Sequence, residues 1–246
     1  MLILLYYTYI IVIALPILIV ATILAAVFTI ILSPVFPNKQ FSYYPARWWG
    51  RLFCHICLIR VAIEGLENIV KNRSYIITCN HQSIFDVFVV YGWLPSVFKW
   101  MMKADLRKIP LVGKACEVAG HIFISRESRK ATVTSLEKAY RQLQNGISVV
   151  IFPEGTRTHT GRMGAFKRGA FLLATELKLP VLPITLSGSF ERLPRNTLKL
   201  RPGKINMHIH PAIEVEPFLP DKTKEFAQYT HDVIRRKLHL ENTTTT

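Results

Sequence analysis

The first 38 residues contain no charged side chain, and the first cation of the chain is Lys39. This absence argues against a soluble helix, because nothing polar marks a face toward water. It also argues against a cleaved signal peptide, since no basic region precedes the apolar run and the run is too long. About 20 apolar residues cross a bilayer core, so we expect residues 1–38 to form a hydrophobic membrane anchor. Because Pro16 interrupts the apolar run, this anchor can be a tilted span, a kinked helix or a re-entrant hairpin.

Acidic residues are scarce in the whole chain. Among 246 residues, 16 Asp and Glu stand against 31 Lys and Arg, which gives a formal net charge of +15. This balance implies an anionic partner, namely nucleic acid, an acidic lipid surface or a phosphorylated substrate. No nucleic-acid-binding module accompanies the charge, and an uncharged N-terminal segment fits poorly with nucleic acid. We therefore expect a membrane bilayer as partner and no nucleic acid.

Cysteine is also rare, with four in the chain: Cys54, Cys57, Cys79 and Cys116. Cys54 and Cys57 form a C-x-x-C pair, but a zinc site needs a second matched pair, which the other two do not provide. We therefore predict no metal site. We expect Cys54 and Cys57 to share one face of a helix near the membrane and to stay reduced in a cytoplasmic domain.

The segment 39–57 combines aromatic and basic residues, including Arg47, Trp48, Trp49 and Arg51. Tyr and Trp favour the headgroup layer of a bilayer, and Arg favours anionic lipid phosphates. The segment therefore predicts an interfacial helix, with an ordinary aromatic core cluster as the alternative. Because every cation lies C-terminal to the apolar run, the positive-inside rule places the main domain in the cytoplasm. We expect a bacterial inner membrane.

Short apolar segments alternate with helical patterns after residue 57. Predicted strands cover 58–64, 74–79, 98–102, 121–125, 147–152, 181–186 and 205–210. Predicted helices cover 84–91, 132–144, 166–177 and 221–240. This alternation predicts an α/β domain over 58–240, with a mixed, largely parallel sheet flanked by helices. We expect residues 241–246 to form a disordered tail.

Polar residues follow three of the predicted strands, at Asn80–His81, at Arg126 and at 153–157. Ligands of α/β sheets gather at the carboxyl ends of the strands. His81 is a candidate general base, because histidine titrates near neutral pH. Asp86 is five positions away and can orient such a base. Ser83 to Asp86 also matches a capping box, so the carboxylate has two targets that do not exclude each other.

The loop 153–157 has features that suit an anionic oxygen. Gly155 lets backbone N–H groups approach closely, Thr156 adds a hydroxyl, and Arg157 can make a two-pronged phosphate contact. Lys103 and Arg126 adjoin predicted strands and are further candidate cations. A surface turn with a solvated arginine is the alternative interpretation of this loop.

Six motifs occur in one order between residues 80 and 184. They are Asn80-His81-Gln82-Ser83-x-x-Asp86, Lys103-Ala-Asp-Leu-x-x-x-Pro110-x-x-Gly113, Gly120-x-x-Phe123-Ile-x-Arg126, Phe152-Pro153-Glu154-Gly155-Thr156-Arg157, Phe166-Lys167-x-Gly169 and Leu182-Pro183-Ile184. In this order they resemble the lysophosphatidate acyltransferase (1-acylglycerol-3-phosphate O-acyltransferase) family of the glycerophospholipid acyltransferase superfamily. The resemblance covers about residues 40–240. One departure is Thr158, where the family usually has Ser.

The resemblance implies a glycerolphosphate-acyltransferase-like fold and an enzyme that needs no cofactor. Such an enzyme moves an acyl chain from acyl-CoA or acyl carrier protein to the sn-2 hydroxyl of lysophosphatidic acid. The product is phosphatidic acid, a membrane phospholipid precursor. Another lysophospholipid or a lyso-aminolipid is the alternative acceptor. The donor, the chain-length preference and the oligomeric state stay open.

The resemblance also implies a role for each site residue. His81 resembles the general base, and Asp86 resembles its orienting partner. The expected substrate-phosphate set is Lys103, Arg126 and Arg157. The expected support for the loop, the phosphate or the oxyanion is Glu154, Gly155 and Thr156.

Two hypotheses from other classes remain. One is a non-catalytic membrane-binding or remodelling protein, which the aromatic and basic segment alone would explain. The other is a metal-dependent hydrolase that uses His81, Asp86, His208 and His210, because His208 and His210 point to one face of a strand. Thioester consumption by the purified protein separates the first hypothesis from an enzyme, and sensitivity to chelators tests the second.

Overall fold

The helices and strands alternate along the chain. The computed structural model describes residues 2–35, 43–124 and 146–244. The helices are α1 (Leu2–Val35), α2 (Tyr43–Ile56), α3 (Phe85–Trp93), α4 (Val112–Val118), α5 (Gly169–Leu177), α6 (Ser189–Arg192) and α7 (Thr223–Thr244). The strands are β1 (Ile59–Glu64), β2 (Ile76–Cys79), β3 (Phe98–Lys103), β4 (Ile122–Ile124), β5 (Ser148–Ile151), β6 (Val181–Ser187) and β7 (Gly203–Ile209). The predicted helix 132–144 lies outside the described residues.

The strands form one sheet in the order β1-β7-β6-β2-β5-β3-β4. Neighbouring strands are parallel throughout, except that β6 and β7 are antiparallel. The mixed, largely parallel sheet predicted from the sequence is thus confirmed. Its consequence is that β6, β2, β5, β3 and β4 point their carboxyl ends to the same edge.

The central strands β2, β5 and β6 are buried along their whole length. A strand that is covered on both faces needs a continuous apolar run. Successive side chains of a strand point to opposite faces of the sheet, so alternate residues pack in different cores. Ile76 and Val149 pack in the core beneath α5 and α7, while Ile77 and Val150 pack in the core beneath α2 and α3. The sheet is therefore the middle of three layers, and its polar edge is left free for a site.

The N-terminal helix α1 is continuous from Leu2 to Val35, with a π-helical turn at Ile10–Ala14. The turn precedes Pro16, whose missing N–H interrupts regular helical hydrogen bonding. Of the three alternatives predicted for residues 1–38, the re-entrant hairpin is wrong for the described part. Within the described ranges, α1 is the one helix that is long and apolar enough to cross a membrane. Its role as an anchor stays a prediction.

Helix α1 lies along the folded domain and contacts α2 and α4. The hydroxyl of Tyr6 donates to the Cys57 carbonyl at 3.0 Å, and the indole N–H of Trp49 donates to the Thr22 hydroxyl at 2.9 Å. Cys54 and Cys57 are both buried free thiols, and burial raises the pKa of Cys57 to about 11. The apolar helix and the aromatic helix α2 therefore form one packed unit.

The C-terminal helix α7 extends to Thr244 and so enters the segment 241–246, which was predicted to be disordered. Lys237 pairs with Glu241 at 3.3 Å, and the side chains of Ser187 and Asn206 donate to the same carboxylate. These contacts hold the Glu241 side chain against the end of β6 and the middle of β7. The disorder prediction is therefore wrong for residues 241–244, because side chains on the neighbouring strands bind Glu241.

Two glycines of the recognised motifs begin helices in different surroundings. A Cβ at Gly113, in the first turn of α4, would lie 2.1 Å from the Arg107 carbonyl oxygen. A Cβ at Gly169, the first residue of α5, would meet no described heavy atom within 4 Å. We expect Gly113→Ala to lower the free energy of unfolding by about 1–3 kcal/mol through overpacking. We expect the matched control Gly169→Ala to raise it by about 0.4–1 kcal/mol, because it restricts the unfolded chain. Urea titration measures both, and equal effects would contradict the argument.

Candidate active site

The predicted site residues follow adjacent parallel strands. β2 pairs with β5 through Thr78 and Ile151, and β5 pairs with β3 through Val150 and Trp100. His81 follows β2, the loop 153–157 follows β5, and Lys103 is the last, exposed residue of β3. These three parts therefore meet at one edge of the sheet. Arg126 lies outside the described residues.

The Asp86 carboxylate organises the loop after β2. Asp86 is fully buried in the first turn of α3, and its Oδ2 accepts three N–H hydrogen bonds. The donors are His81 Nδ1 at 2.9 Å, Gln82 N at 2.6 Å and Ser83 N at 2.8 Å. The two alternatives for this carboxylate are thus both realised, since one oxygen binds the Ser83 amide just before α3, as in a capping box, and also holds the imidazole.

The His81 ring is fixed with one nitrogen left for chemistry. Because Nδ1 donates to a carboxylate, the neutral ring carries its proton there and Nε2 keeps a lone pair. The ring stacks on Phe152 with centroids 3.8 Å apart and planes 9° apart, and its side chain is 14% exposed. Phe152 in turn stacks on Trp100 at 5.2 Å. A nearly buried imidazole with a free Nε2 is suited to accept a proton from a bound hydroxyl.

Asn80 fixes the start of this loop, which the motif did not explain. Its Nδ2 donates to the Leu186 carbonyl at 2.7 Å, and its Oδ1 accepts the Leu186 N–H at 2.8 Å. The amide side chain thereby continues the pairing of β2 with β6 beyond the strand end. Because Asn80 is fully buried, both of these polar groups need their partners.

Glu154 ties the loop after β2 to two parts of the connection between β5 and α5. Its Oε1 accepts the His81 N–H at 2.7 Å, and its Oε2 accepts the Gly164 N–H at 2.7 Å. Burial raises the pKa of Glu154 to about 7, against the opposing effect of these N–H donors, and the Asp86 charge adds to the rise. The carboxylate is directed at backbone N–H groups, so it positions His81 and the loop 153–157.

The backbone of the loop 153–157 presents N–H donors. Gly155 has φ +75°, and its own N–H donates to the Phe152 carbonyl at 2.9 Å, so it is used within the turn. In the described parts of the chain, the N–H groups of Thr156 and Arg157 have no acceptor. Thr158 N donates to the His81 carbonyl at 3.0 Å. The free N–H donors that the sequence predicts around Gly155 are therefore those of Thr156 and Arg157.

Arg195 belongs to this site, although no sequence motif includes it. Its Nη1 donates to Thr156 Oγ1 at 2.8 Å and to the Arg157 carbonyl at 2.9 Å. Arg195 lies in the connection between β6 and β7, and that connection also accepts a hydrogen bond from Ser83 Oγ at the Leu193 carbonyl, at 2.8 Å. This connection begins at the carboxyl end of β6, which lies at the same edge as the ends of β2 and β5, and the antiparallel β7 starts from that edge.

Of the histidine pair proposed for a metal-dependent hydrolase, His208 lies on β7 and His210 directly follows it, and β7 is two strands from β2. His208 Nδ1 is 3.0 Å from Glu64 Oε2, and His210 Nε2 is 2.8 Å from Thr185 Oγ1. Over residues 2–35, 43–124 and 146–244, no group of three or more His, Cys, Asp or Glu is arranged to hold a metal. The structure therefore does not assemble the ligand set that this hypothesis needs.

Comparison with known proteins places this site in a class. The family model described as Acyltransferase matches residues 60–187, which is more than half of the chain. The matched region includes β2, β5 and both site loops. The sheet edge that carries His81 and the loop 153–157 thus lies within the part of the chain that matches an acyltransferase family.

The relatives narrow the class. The chain is 32% identical over 198 residues to a chloroplast 1-acyl-sn-glycerol-3-phosphate acyltransferase of Arabidopsis thaliana, covering 80% of this chain and 54% of that protein. It is 33% identical over 190 residues to the 1-acyl-sn-glycerol-3-phosphate acyltransferase of Limnanthes douglasii, covering 77% and 67%. The chain belongs to the lysophosphatidate acyltransferase family, as its motifs predict. It spans about half to two thirds of the length of these relatives.

A solved structure shares the whole architecture. The crystal structure of the 1-acyl-sn-glycerophosphate acyltransferase of Thermotoga maritima superposes with a TM-score of 0.80 at 27% sequence identity. The superposition covers 97% of this chain and 95% of that one. The likeness therefore includes the N-terminal helices as well as the sheet.

The raised pKa of Glu154 predicts a pH-dependent contribution to stability. The folded protein holds this proton more tightly than the unfolded chain, where the pKa is about 4.5. The contribution is therefore complete below pH 4.5 and is lost as the pH rises through about 7. We expect wild type to lose stability relative to Glu154→Gln over this range, by on the order of a few kcal/mol. Urea unfolding at a series of pH values measures the difference, and a difference independent of pH would contradict the assignment.

Proposed function

We propose that this protein is a membrane-associated 1-acylglycerol-3-phosphate O-acyltransferase. In this function it transfers a fatty acyl chain from a thioester to the sn-2 hydroxyl of lysophosphatidic acid and forms phosphatidic acid. The observation that carries the proposal is the hydrogen bond from His81 Nδ1 to the buried Asp86 carboxylate at 2.9 Å. That bond leaves Nε2 as the acceptor for the substrate proton, beside a loop suited to phosphate.

In the proposed reaction the substrate oxygen is the nucleophile. His81 Nε2 takes the proton of the sn-2 hydroxyl as the oxygen attacks the thioester carbonyl. Asp86 stabilises the imidazolium that forms. The tetrahedral intermediate then collapses, the C–S bond breaks, and the imidazolium returns the proton to the leaving thiolate. The new ester oxygen comes from the lysolipid, so no acyl-enzyme forms and no cofactor is required.

In this proposal, cations and backbone N–H donors bind the anionic groups of the substrates. Arg157 and Lys103 bind the substrate phosphate, together with Arg126 as the family resemblance implies. The free N–H groups of Thr156 and Arg157 bind the phosphate or the developing oxyanion. Glu154 holds both loops at the distance this requires. The donor is acyl-CoA or acyl carrier protein, and a positive surface suits both.

The membrane explains the N-terminal part of the chain in the same proposal. Lysophosphatidic acid and its product partition into bilayers, so an enzyme held at the surface meets both without extracting them into water. Helix α1 is the anchor, and Trp48 on α2 is 68% exposed, where an interfacial aromatic residue is favoured. The cations follow α1 in the sequence, so the catalytic domain lies on the cytoplasmic side of the membrane. In a bacterium this membrane is the inner membrane.

Mass spectrometry of purified protein tests the acceptor directly. The protein is offered lysophosphatidic acid, other lysophospholipids and a lyso-aminolipid, each with acyl-CoA and with acyl carrier protein as the donor. We expect phosphatidic acid as the main product. If the main product comes from another lysolipid, that lysolipid is the acceptor, which is the alternative within the superfamily. If no thioester is consumed at all, the enzymatic proposal is contradicted.

The His81–Asp86 pair predicts the largest losses of activity. We expect His81→Ala to lower kcat by about 10²–10⁴-fold, because the general base is removed. We expect Asp86→Asn to lower kcat by a similar factor, because a neutral amide no longer stabilises the imidazolium. Initial rates of thiol release measure both variants. The matched control is His208→Ala, which removes a surface histidine paired with Glu64. Normal turnover by His81→Ala would contradict the mechanism.

Arg157 predicts a different kinetic signature. We expect Arg157→Ala to raise KM for lysophosphatidic acid by about 10–100-fold, because a charge-assisted phosphate contact is lost. We expect a smaller change in kcat, since the residue binds the headgroup and not the reacting oxygen. Arg162→Ala is the control, because Arg162 is an exposed arginine five positions further along. An unchanged KM for Arg157→Ala would contradict the phosphate role.

A further inference from the structure

Arg195 is fixed beside the candidate phosphate loop by two hydrogen bonds. Its Nη1 donates to Thr156 Oγ1 at 2.8 Å and to the Arg157 carbonyl at 2.9 Å. Both acceptors belong to the loop whose free backbone N–H groups face an anion in the proposed function. A surface arginine without a role would not be held at this loop by two directed bonds, since its side chain loses rotamer entropy when ordered.

The rest of the Arg195 guanidinium is available. A guanidinium carries five N–H donors in a rigid plane, and the two bonds above use only those of Nη1. In the described part of the chain, Arg195 forms no ion pair with a carboxylate, and its Nε and Nη2 have no acceptor. Nε and Nη2 form the side of the fork that matches two oxygens of a phosphate.

The position of this fork relative to His81 follows from the backbone. Thr158 is the residue after Arg157, and its N–H donates to the His81 carbonyl at 3.0 Å. The connection that carries Arg195 also accepts the Ser83 hydroxyl at the Leu193 carbonyl, at 2.8 Å. Arg195 is therefore bound to the loop after β5, and its neighbour Leu193 is bound to the loop after β2. The connection that carries both residues follows β6, which lies on the other side of β2 and β5 from β3 and Lys103.

We propose that Arg195 is a further guanidinium for the substrate phosphate, beside Arg157, and that it favours a phosphate monoester dianion over a phosphodiester headgroup. The assignment rests on the proposed function and adds to it a residue outside the recognised motifs. A monoester has its second pKa at about 6 and carries close to two negative charges at neutral pH. An additional guanidinium is attracted more strongly to a dianion than to a monoanion. A phosphodiester has one charge and two esterified oxygens, so it cannot satisfy both forks.

The test uses the full chain purified in detergent and three variants. Arg195→Gln removes the charge and keeps a hydrogen-bond donor for the loop, and Arg195→Lys keeps the charge without the planar fork. The matched control is Arg201→Gln, because Arg201 is exposed in the same connection. Among the described residues, only its backbone N–H makes a hydrogen bond, to the Arg192 carbonyl. Calorimetric titration with sn-glycerol 3-phosphate at pH 5 and pH 7.5 gives the affinity for the headgroup without any acyl transfer.

We expect wild type to bind the probe more tightly at pH 7.5 than at pH 5, because the dianion then dominates. Arg195→Gln should weaken binding at pH 7.5 by about 10-fold or more and reduce this pH dependence. Arg195→Lys should recover part of the affinity, and Arg201→Gln should match wild type. In turnover, Arg195→Gln should raise KM for lysophosphatidic acid while kcat stays within about 2-fold, since the contact is to the headgroup.

Two outcomes would overturn the assignment. One is an affinity for sn-glycerol 3-phosphate that is the same in Arg195→Gln as in wild type. The other is a loss in Arg195→Gln that is confined to kcat, which indicates that Arg195 only holds the loop. The proposed function fails separately. A wild-type chain that binds the probe through Arg195 but transfers no acyl group to any lysolipid contradicts the acyltransferase proposal and leaves the anion site in place.

Discussion

One carboxylate oxygen determines the geometry of the candidate site. Asp86 Oδ2 binds the Gln82 and Ser83 amides and the His81 ring at the same time. The amides fix the start of α3, and the start of α3 fixes the carboxylate that orients the ring. Helix capping and base orientation are therefore one interaction. Because Asp86 is fully buried, the interaction is not weakened by competing water.

Bonds between loops extend this geometry to the rest of the site. Asn80 binds the backbone of β6, Glu154 binds the His81 amide, and Arg195 binds the loop after β5. Three strand ends thus bring together an imidazole, N–H donors and cations that no single segment could hold together. The parallel arrangement of these strands is the reason that their polar ends meet. Glu154 is buried to make its contact, and burial raises the pKa of its carboxyl group to about 7.

The sequence predicted the strands of the sheet and the class of the site, but not the short helices α4 and α6. The limits of that prediction have physical causes. The strand ends after β2 and β5 were predictable, because apolar runs and polar punctuation are local. The double role of Asp86 was left open, because the direction of a carboxylate depends on the backbone around it. Arg195 and the β6 contact of Asn80 were not predicted, because both depend on contacts more than 35 residues apart along the chain. The last turns of α7 were missed because Glu241 is held by side chains of other strands.

The most direct test of the central claim is the protonation of the His81 ring in the folded protein. Long-range ¹H–¹⁵N NMR of the purified chain, with His81 assigned by its loss in a variant, distinguishes the two neutral tautomers. The account predicts a proton on Nδ1 and a free Nε2 at neutral pH, because Asp86 Oδ2 accepts the Nδ1 hydrogen. A proton on Nε2 would contradict it, since the imidazole would then present a donor to the substrate hydroxyl in place of the base.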